Sequence, residues 1–364
     1  MTITHIDIFR YSIKMTPFRI STGVMDYAQN VLIRIHTDEQ HYGLGECSAF
    51  PVIVGETQDS CLLLAKSFAA LWKGKDPLAI ADRLAELDDY IAGNRTVKSA
   101  FDMALYDLAS KSEGLPLYAF LGGKKRPIST DITIGIGTPD EMANQAARFV
   151  EQGARYLKVK LGKIPADDIA RIKAIRRKIG SDTPIRIDAN QGWDVQAASV
   201  VLNAIKNDNI EFCEQPLRVH NDFRMGELKE FGIPLMADES CYVATDAERV
   251  ARDGHFDYIN IKLAKSGGIH EALKICKVAD AHQIPCMLGG MLESRLALSA
   301  MVHLAYARDV IKFFDLDTCL VGHLEDPVEH GLQYEGFDIS IADIPGIGAG
   351  ISESSLTSYE KTTI

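Results

Sequence analysis

The chain has 364 residues, of which 46% are apolar and 24% charged, and a formal net charge of −11. Such a length holds one α/β barrel of about 250 residues, with roughly a hundred more for a second domain. The negative balance argues against a nucleic acid or an anionic membrane surface as partner and is compatible with a divalent cation; no run approaches the ~20 apolar residues of a membrane span.

From the N-terminus, Ile3–Tyr11 and Gln29–Thr37 alternate like strands of an antiparallel sheet, and His41–Glu46 reads as a third. Met1–Tyr11 lacks a basic stretch followed by an apolar core, so no signal peptide is expected. The seven cysteines are odd in number and form no CxxC pair. This predicts a reducing compartment, the cytoplasm, rather than a disulfide framework or a zinc finger. Pro17–Asn30 and Ser48–Thr57 read as loops. Their glycines (Gly23, Gly55) stand among apolar side chains such as Phe18, Ile20, Val24, Met25, Phe50 and Ile53. That pattern suits lids over a pocket and a packed domain interface equally. Helices are predicted over 58–71, 80–90 and 95–112, which makes the first 125 residues an α+β segment.

A strand–helix rhythm begins near Ile128. Asp131–Gly137 reads as a strand, and Thr138-Pro139-Asp140-Glu141 then supplies an N-cap, a proline at the first helical position and a glutamate at the third. Helices are predicted at 139–152, 166–179, 194–207, 221–230, 244–253, 268–282 and 292–307. Strands separate them, and Ile311–Asp315 makes the eighth. Eight strands with seven helices describe a barrel whose last helix is missing or replaced. The glycine-rich tail from Val328 reads as strand and loop returning toward the N-terminal segment.

Five charged residues, Lys160, Asp188, Glu214, Asp238 and Lys262, follow apolar or β-branched runs at intervals of 28, 26, 24 and 24 residues. Residues at the C-terminal ends of barrel strands converge on one mouth. Lys158 and Lys160 are two apart, so they share the inward face of the second strand while Leu157, Val159 and Leu161 face the helices. Two inward ammonium groups are costly unless they serve a site. Each is expected to lower the other's pKa, bringing a neutral amine within reach near pH 7.

Asp188, Glu214 and Asp238 would repel one another without a cation, and all-oxygen ligation suits Mg²⁺ or Mn²⁺. Singly, each could be a helix cap; the regular series favours a site. Asn190 and Glu239 are rivals for ligation or for supporting the ligands. Lys262 would face Lys160 across the mouth, whereas Lys265 falls in the following loop and is expected to be exposed. Asp315 and Asp317 share one face at the end of the eighth strand and read as a receptor for a cationic group. Glu293 is open between a supporting role and a helix start.

Together Lys158-Val159-Lys160, Asp188-Ala189-Asn190, Glu214-Gln215-Pro216, Asp238-Glu239-Ser240 and Lys262-Leu263-Ala264-Lys265-Ser266-Gly267-Gly268 resemble the enolase superfamily, in its muconate-lactonizing-enzyme subgroup. The resemblance covers nearly the whole chain. It implies an α/β fold, a (β/α)7β modified TIM barrel over 128–327 with an α+β capping domain from 1–127 and 328–364. It makes Lys160 and Lys262 the acid/base pair and Asp188, Glu214 and Asp238 the Mg²⁺ ligands. Lys158 would support the same charge. The resemblance also implies a Lys base with Mg²⁺ stabilising an ene-diolate. Lysines on opposite faces permit inversion by two-base proton transfer.

Asp315-Leu316-Asp317 is similar to the ammonium-binding motif of dipeptide epimerases. There it implies a small-molecule dipeptide substrate, Ala-X, with Thr133 and Gly290 as further substrate contacts and a homo-oligomer compatible with the family. L-Ala-D/L-Glu epimerases carry an arginine where alignment through Pro17-Phe18-Arg19 puts Gly23, and Arg19 matches a basic residue those enzymes already have. An unpaired buried carboxylate is costly, so X is expected to be small or hydrophobic. Alternatives are an L-Ala-D/L-Glu epimerase, an o-succinylbenzoate synthase or N-acylamino-acid racemase, and a Schiff-base aldolase barrel. The acylated substrates lack the ammonium that Asp315 and Asp317 would hold.

Overall fold

A computed structural model describes residues 1–20, 23–39 and 41–364, with the side chains of residues 18–20 and 23 not among those described. The first sheet has four antiparallel strands in the order Lys361–Thr363, Ile3–Ile20, Gly23–Thr37, Tyr42–Ser48. The tail therefore does return: Asp7, Ile8 and Phe9 pair with Thr363, Thr362 and Lys361.

Helices Gln58–Trp72 and Arg95–Ser112 cover one face and enclose a core that includes Phe68, Trp72 and Phe101. The helix lies close because Gly43 and Gly45 have no side chains. A Cβ on them would stand 2.0 Å from the Ala104 carbonyl oxygen and 1.9 Å from that of Ala100. Alanine on the helix and glycine on the strand are one packing solution.

The expected loop at Pro17–Asn30 is instead the end of a long hairpin, with backbone pairs Phe18 to Met25 and Ile20 to Gly23 after a register shift beyond Lys14. β-branched and aromatic residues continue the strands where loop chemistry was expected. The side chains of Phe18, Arg19 and Ile20 and the Gly23 position, on which the expected choice of X rests, lie outside the described side chains. The hairpin leans on the segment after the eighth barrel strand through Thr16 N to Gly322 O at 2.8 Å and Leu324 N to Lys14 O at 2.9 Å. Ser48–Thr57 also carries structure, a short helix Pro51–Val54.

Eight parallel strands follow in sequence order: Ile132–Ile134, Leu157–Lys160, Ile185–Asp188, Ile210–Glu214, Leu235–Ala237, Tyr258–Ile261, Cys286–Gly289 and Ile311–Asp315. The first meets the eighth where Asp131 N donates to Phe314 O at 3.1 Å and Leu316 N to Thr130 Oγ1 at 2.9 Å. After the eighth strand only the short helix Thr318–Val321 precedes the exit of the chain from the barrel. This is a modified barrel lacking its last full helix.

The helix expected at 221–230 is a run of 3₁₀ turns over Val219–Phe231. Asn221, Asp222 and Gly226 are poor interior helix formers, and they outweigh the apolar periodicity. Among the described residues, no helix is long and apolar enough to cross a membrane.

Candidate active site

Lys160, Asp188 and Glu214 are the last residues of their strands, and Asp238 and Lys262 stand one residue beyond theirs. Parallel register brings Lys160 beside Asp188 and Asp188 beside Glu214. All five are buried. Lys160 Nζ lies 2.5 Å from Asp188 Oδ2, and Lys262 Nζ lies 2.8 Å from Asp238 Oδ2. Lys158 Nζ reaches Asp315 Oδ2 at 2.5 Å, Glu214 Oε2 at 2.7 Å and Asp188 Oδ2 at 3.6 Å. Three ammonium groups and four carboxylates thus interlock at the mouth.

Burial alone would lower the pKa of Lys158 and Lys262. For Lys158 the charges of Asp315, Glu214 and Asp188 outweigh it, and for Lys262 those of Asp238 and Glu214. Both are held well above the ordinary lysine value. Lys158 does lower Lys262, as like charges do, but for Lys158 and Lys262 the carboxylates outweigh both burial and like charge, so the expected net depression is not found for them. Burial opposes ionisation of Asp238, yet Lys262 and Lys265 keep it well below the usual range.

Lys265 is a second correction. It is fully buried, donating to Asp238 Oδ1 at 2.8 Å, to Asn260 O at 2.9 Å and to the Asp238 carbonyl. The segment Leu263–Ser266 forms a helical turn, not an open loop, and that turn folds the side chain back under the site.

Gln215 and Asn260 fix the carboxylates. Gln215 Oε1 accepts from Asp238 N at 2.9 Å and Ser240 N at 3.1 Å, and Asn260 Nδ2 donates to Glu214 Oε1 at 2.6 Å. Asn190 donates its backbone N–H to Asp188 Oδ1 at 2.8 Å and its side-chain amide to Asp188 Oδ2 at 3.2 Å. Glu239 is different. It is buried, neither carboxylate oxygen has a hydrogen-bond partner among the described residues, and burial with the charges of Asp238 and Asp188 pushes its pKa up to about 8. An unpartnered carboxylate beside Asp188 and Asp238 suits a hard, oxygen-seeking cation.

At the end of the eighth strand a third acid joins the expected pair. Oxygens of Asp131, Asp315 and Asp317 lie within 4.8 Å of one another, and by that measure this trio, too, is a candidate cation site. Its charges are partly met: Asp315 by Lys158, and Asp131 by Arg186 at 2.9 Å. Asp317 Oδ2 accepts from the Thr133 backbone N–H at 2.5 Å. Burial and the Asp315 charge push Asp317 up to about 7.

Thr133, Lys160, Lys262, Gly290, Asp315 and Asp317 line one cavity. Its remaining wall is largely apolar, with Met15, Phe50, Ile53, Met291, Leu292 and Val321. Gly290 N is bonded to Asp315 O at 2.8 Å, which seats that carboxylate's strand end. Glu293 is buried and turned to its own backbone, accepting from Met291 N at 2.5 Å.

Arg186, Asp131 and Asn260 were not singled out from sequence, yet each lies two residues before an assigned one and so shares its inward face. Below the mouth, Arg186 sits among the Tyr156, Phe212 and Phe313 rings at 4.4, 5.4 and 5.4 Å.

Residues 3–122 match the mandelate racemase/muconate lactonizing enzyme N-terminal domain, and residues 141–355 the enolase C-terminal domain-like family. The D-Ala-D/L-Ala epimerase of Cytophaga hutchinsonii is 40% identical over 368 residues, covering 100% of both chains. A crystal structure of a dipeptide epimerase from that organism, complexed with Mg and D-Ala-L-Val, superposes with a TM-score of 0.98 over 100% of both chains, again at 40% identity. The hydrophobic dipeptide epimerase of Enterococcus faecalis is 36% identical over 94% of this chain and 98% of its own. With residues 3–122 and 141–355 matched by its two family models and the full length aligned to such enzymes, the chain belongs to the mandelate racemase/muconate lactonizing enzyme family of the enolase superfamily, among its racemases and epimerases.

Proposed function

We propose that the protein is a Mg²⁺-dependent dipeptide epimerase that inverts the α-carbon of the C-terminal residue of Ala-X, where X is small or hydrophobic. The carrying observation is the cavity lining. Among the described residues its only cationic side chains are Lys160 and Lys262, and beyond the acids and the polar Thr133, Asn190 and Thr318 its wall is apolar. A glutamate side chain at X would lie there without a partner, which is unfavourable. Alanine, valine or methionine would bury carbon against carbon.

Asp188, Glu214 and Asp238 would hold the metal, and the unpartnered oxygens of Glu239 beside them fit that assignment. When bound, Mg²⁺ supplies positive charge against which the substrate carboxylate can take on a second negative charge. One lysine removes the α-proton in its neutral form, which becomes accessible to Lys262 once a cation takes up the charge of Asp238 and Glu214 that otherwise keeps it protonated; the other, charged, returns a proton to the opposite face. Lys160 and Lys262 exchange these roles for the mirror-image substrate. Lys158 adds fixed positive charge beside the carboxylates. Asp315 and Asp317 receive the substrate's α-ammonium. They would repel the succinyl carboxylate of an N-succinyl substrate, which disfavours that reading.

The test is a dipeptide panel in D₂O, with mass spectrometry reporting α-deuterium. Ala-Ala, Ala-Val and Ala-Met, each with D- and L-alanine first, are expected to exchange faster than Ala-Glu. A clear preference for Ala-Glu would overturn the choice of X.

A further inference from the structure

The chain as a whole carries a net charge of −11, yet one cleft of about 930 Å³ is cationic. It is bounded by residues 122–126 ahead of the first barrel strand, by the helix Ile269–Ala281, and by residues 306–310 leading into the eighth strand. The starts of barrel strands lie at the end opposite the mouth, so the cleft is separate from the site above. Six of its side chains are Lys or Arg, against the two carboxylates Asp280 and Asp309.

Two of the six have carboxylate partners: Lys125 lies 2.6 Å from Asp343, and Lys274 lies 3.0 Å from Glu271. Lys124, Arg126, Lys277 and Arg308 form no ion pair among the described residues. Arg126, half-buried, donates to Ala305 O at 3.0 Å and Ile311 O at 2.6 Å and lies over the Phe314 ring at 5.5 Å, and burial lowers its pKa. Arg308 Nη1 likewise donates to Leu121 O and Ala307 O. Its place at the end of the helix Arg295–Ala307 explains one cation, since a helix C-terminus favours positive charge. Lys124 is not in a helix, and Lys277 lies a full turn short of one's end.

Lys124 and Lys277 are exposed; burying part of Arg126, which Asp309 only partly offsets, and of Arg308 costs hydration without a full Coulombic return. An anion in the cleft would supply it. Four unpaired cations against two acids leave an excess of two, so the matching ligand carries at least two negative charges. Arginine forks and lysine ammonium groups fit phosphate oxygens. The volume lies in the range of about 300–1,000 Å³ of small-molecule sites, enough for more than a lone phosphate. A long polyanion would also have to lie along the remaining negative surface, which opposes it.

We propose that this cleft binds a small phosphorylated ligand carrying at least two negative charges, for which ADP serves as the probe. The experiment is calorimetric titration of the full-length, Mg²⁺-loaded protein with ADP and AMP at fixed ionic strength and excess Mg²⁺. Sodium sulfate and a single-stranded oligonucleotide are the comparators. ADP is expected to bind more tightly than AMP and sulfate. The double variant Lys124→Glu/Lys277→Glu should lose affinity by about tenfold or more, roughly 1.4 kcal/mol, with an unchanged melting temperature. Arg126→Lys, which keeps the charge but not the fork, should lose less. Absence of ADP binding by the unaltered protein, equal binding by the double variant, or tighter binding of the oligonucleotide than of ADP would each overturn the proposal.

Discussion

Lys158 and Asp315 are 157 residues apart in sequence and 2.5 Å apart in the barrel, ammonium to carboxylate. The same ammonium lies 2.7 Å from Glu214. One side chain on the second strand therefore couples the proposed ammonium receptor on the eighth strand to the proposed metal ligands on the fourth. Removing its charge strands two buried carboxylates, and breaking a buried pair from one side costs about 3–5 kcal/mol. Lys158→Met is expected to lower thermal stability markedly, and to lose α-proton exchange even where it folds. Calorimetric unfolding together with deuterium incorporation checks both. A variant that folds like the parent and turns over normally would refute the coupling.

Asp317 gives a pH dependence. Burial and Asp315 raise its pKa to about 7, above the roughly 3.9 of an unfolded aspartate. Its neutral form is thus favoured in the folded protein. The stability it contributes is fully present below the unfolded value and is lost as pH rises through about 7. Substrate binding has the opposite sign, because only the carboxylate attracts an ammonium. KM for a dipeptide is expected to rise as pH falls below about 7, with a smaller effect on kcat. Asp317→Asn should raise KM throughout and flatten the profile; an unchanged profile in that variant would assign the titration elsewhere.

Lys160→Ala and Lys262→Ala test the two-base scheme. Each should abolish epimerisation, with a loss of about 10²–10⁴-fold or more from removing an acid–base group. One variant should still exchange the α-proton of one enantiomer, the other that of its mirror image. Full inversion by either variant would show that a single base suffices.

Chelation and reloading probe the ligand set. Removal of divalent metal should abolish exchange, and Mg²⁺ should both restore it and raise the melting temperature. Glu214→Gln should lose the Mg²⁺-dependent thermal shift. Retention of that shift would move the site, with the Asp131, Asp315 and Asp317 trio the next place to look.

Much of this was legible because strand ends repeat. Lys160, Asp188, Glu214, Asp238 and Lys262 each terminate an apolar run, and parallel register does the rest. The alternation that placed Lys158 inward applies equally to Arg186 and Asn260, so the layer under the mouth was available to the same argument. Lys265 was misread for a physical reason. Sequence position marks it as following a strand, but only the helical turn of Leu263–Ser266 sends its ammonium back to Asp238. The hairpin ending at Ile20 was hidden because glycine and proline signals compete there with β-forming residues. The cleft cations stayed invisible because Lys124, Lys277 and Arg308 belong to three distant segments.

Two carboxylates of the N-terminal segment end helices that belong to the barrel. Glu46 accepts from Ser294 N, Ser294 Oγ and Ala297 N at 2.9, 2.6 and 3.2 Å, at the start of the helix Arg295–Ala307. Asp102 accepts from Ile269 N at 2.5 Å and His270 N at 3.0 Å, at the start of the helix Ile269–Ala281. Swinging the whole sheet away from the barrel would expose two helix ends and two buried acids at once. Admitting a dipeptide by a hinge between the sheet and the barrel would therefore break both sets of contacts together, which makes a swing of the whole sheet a costly way to open the site.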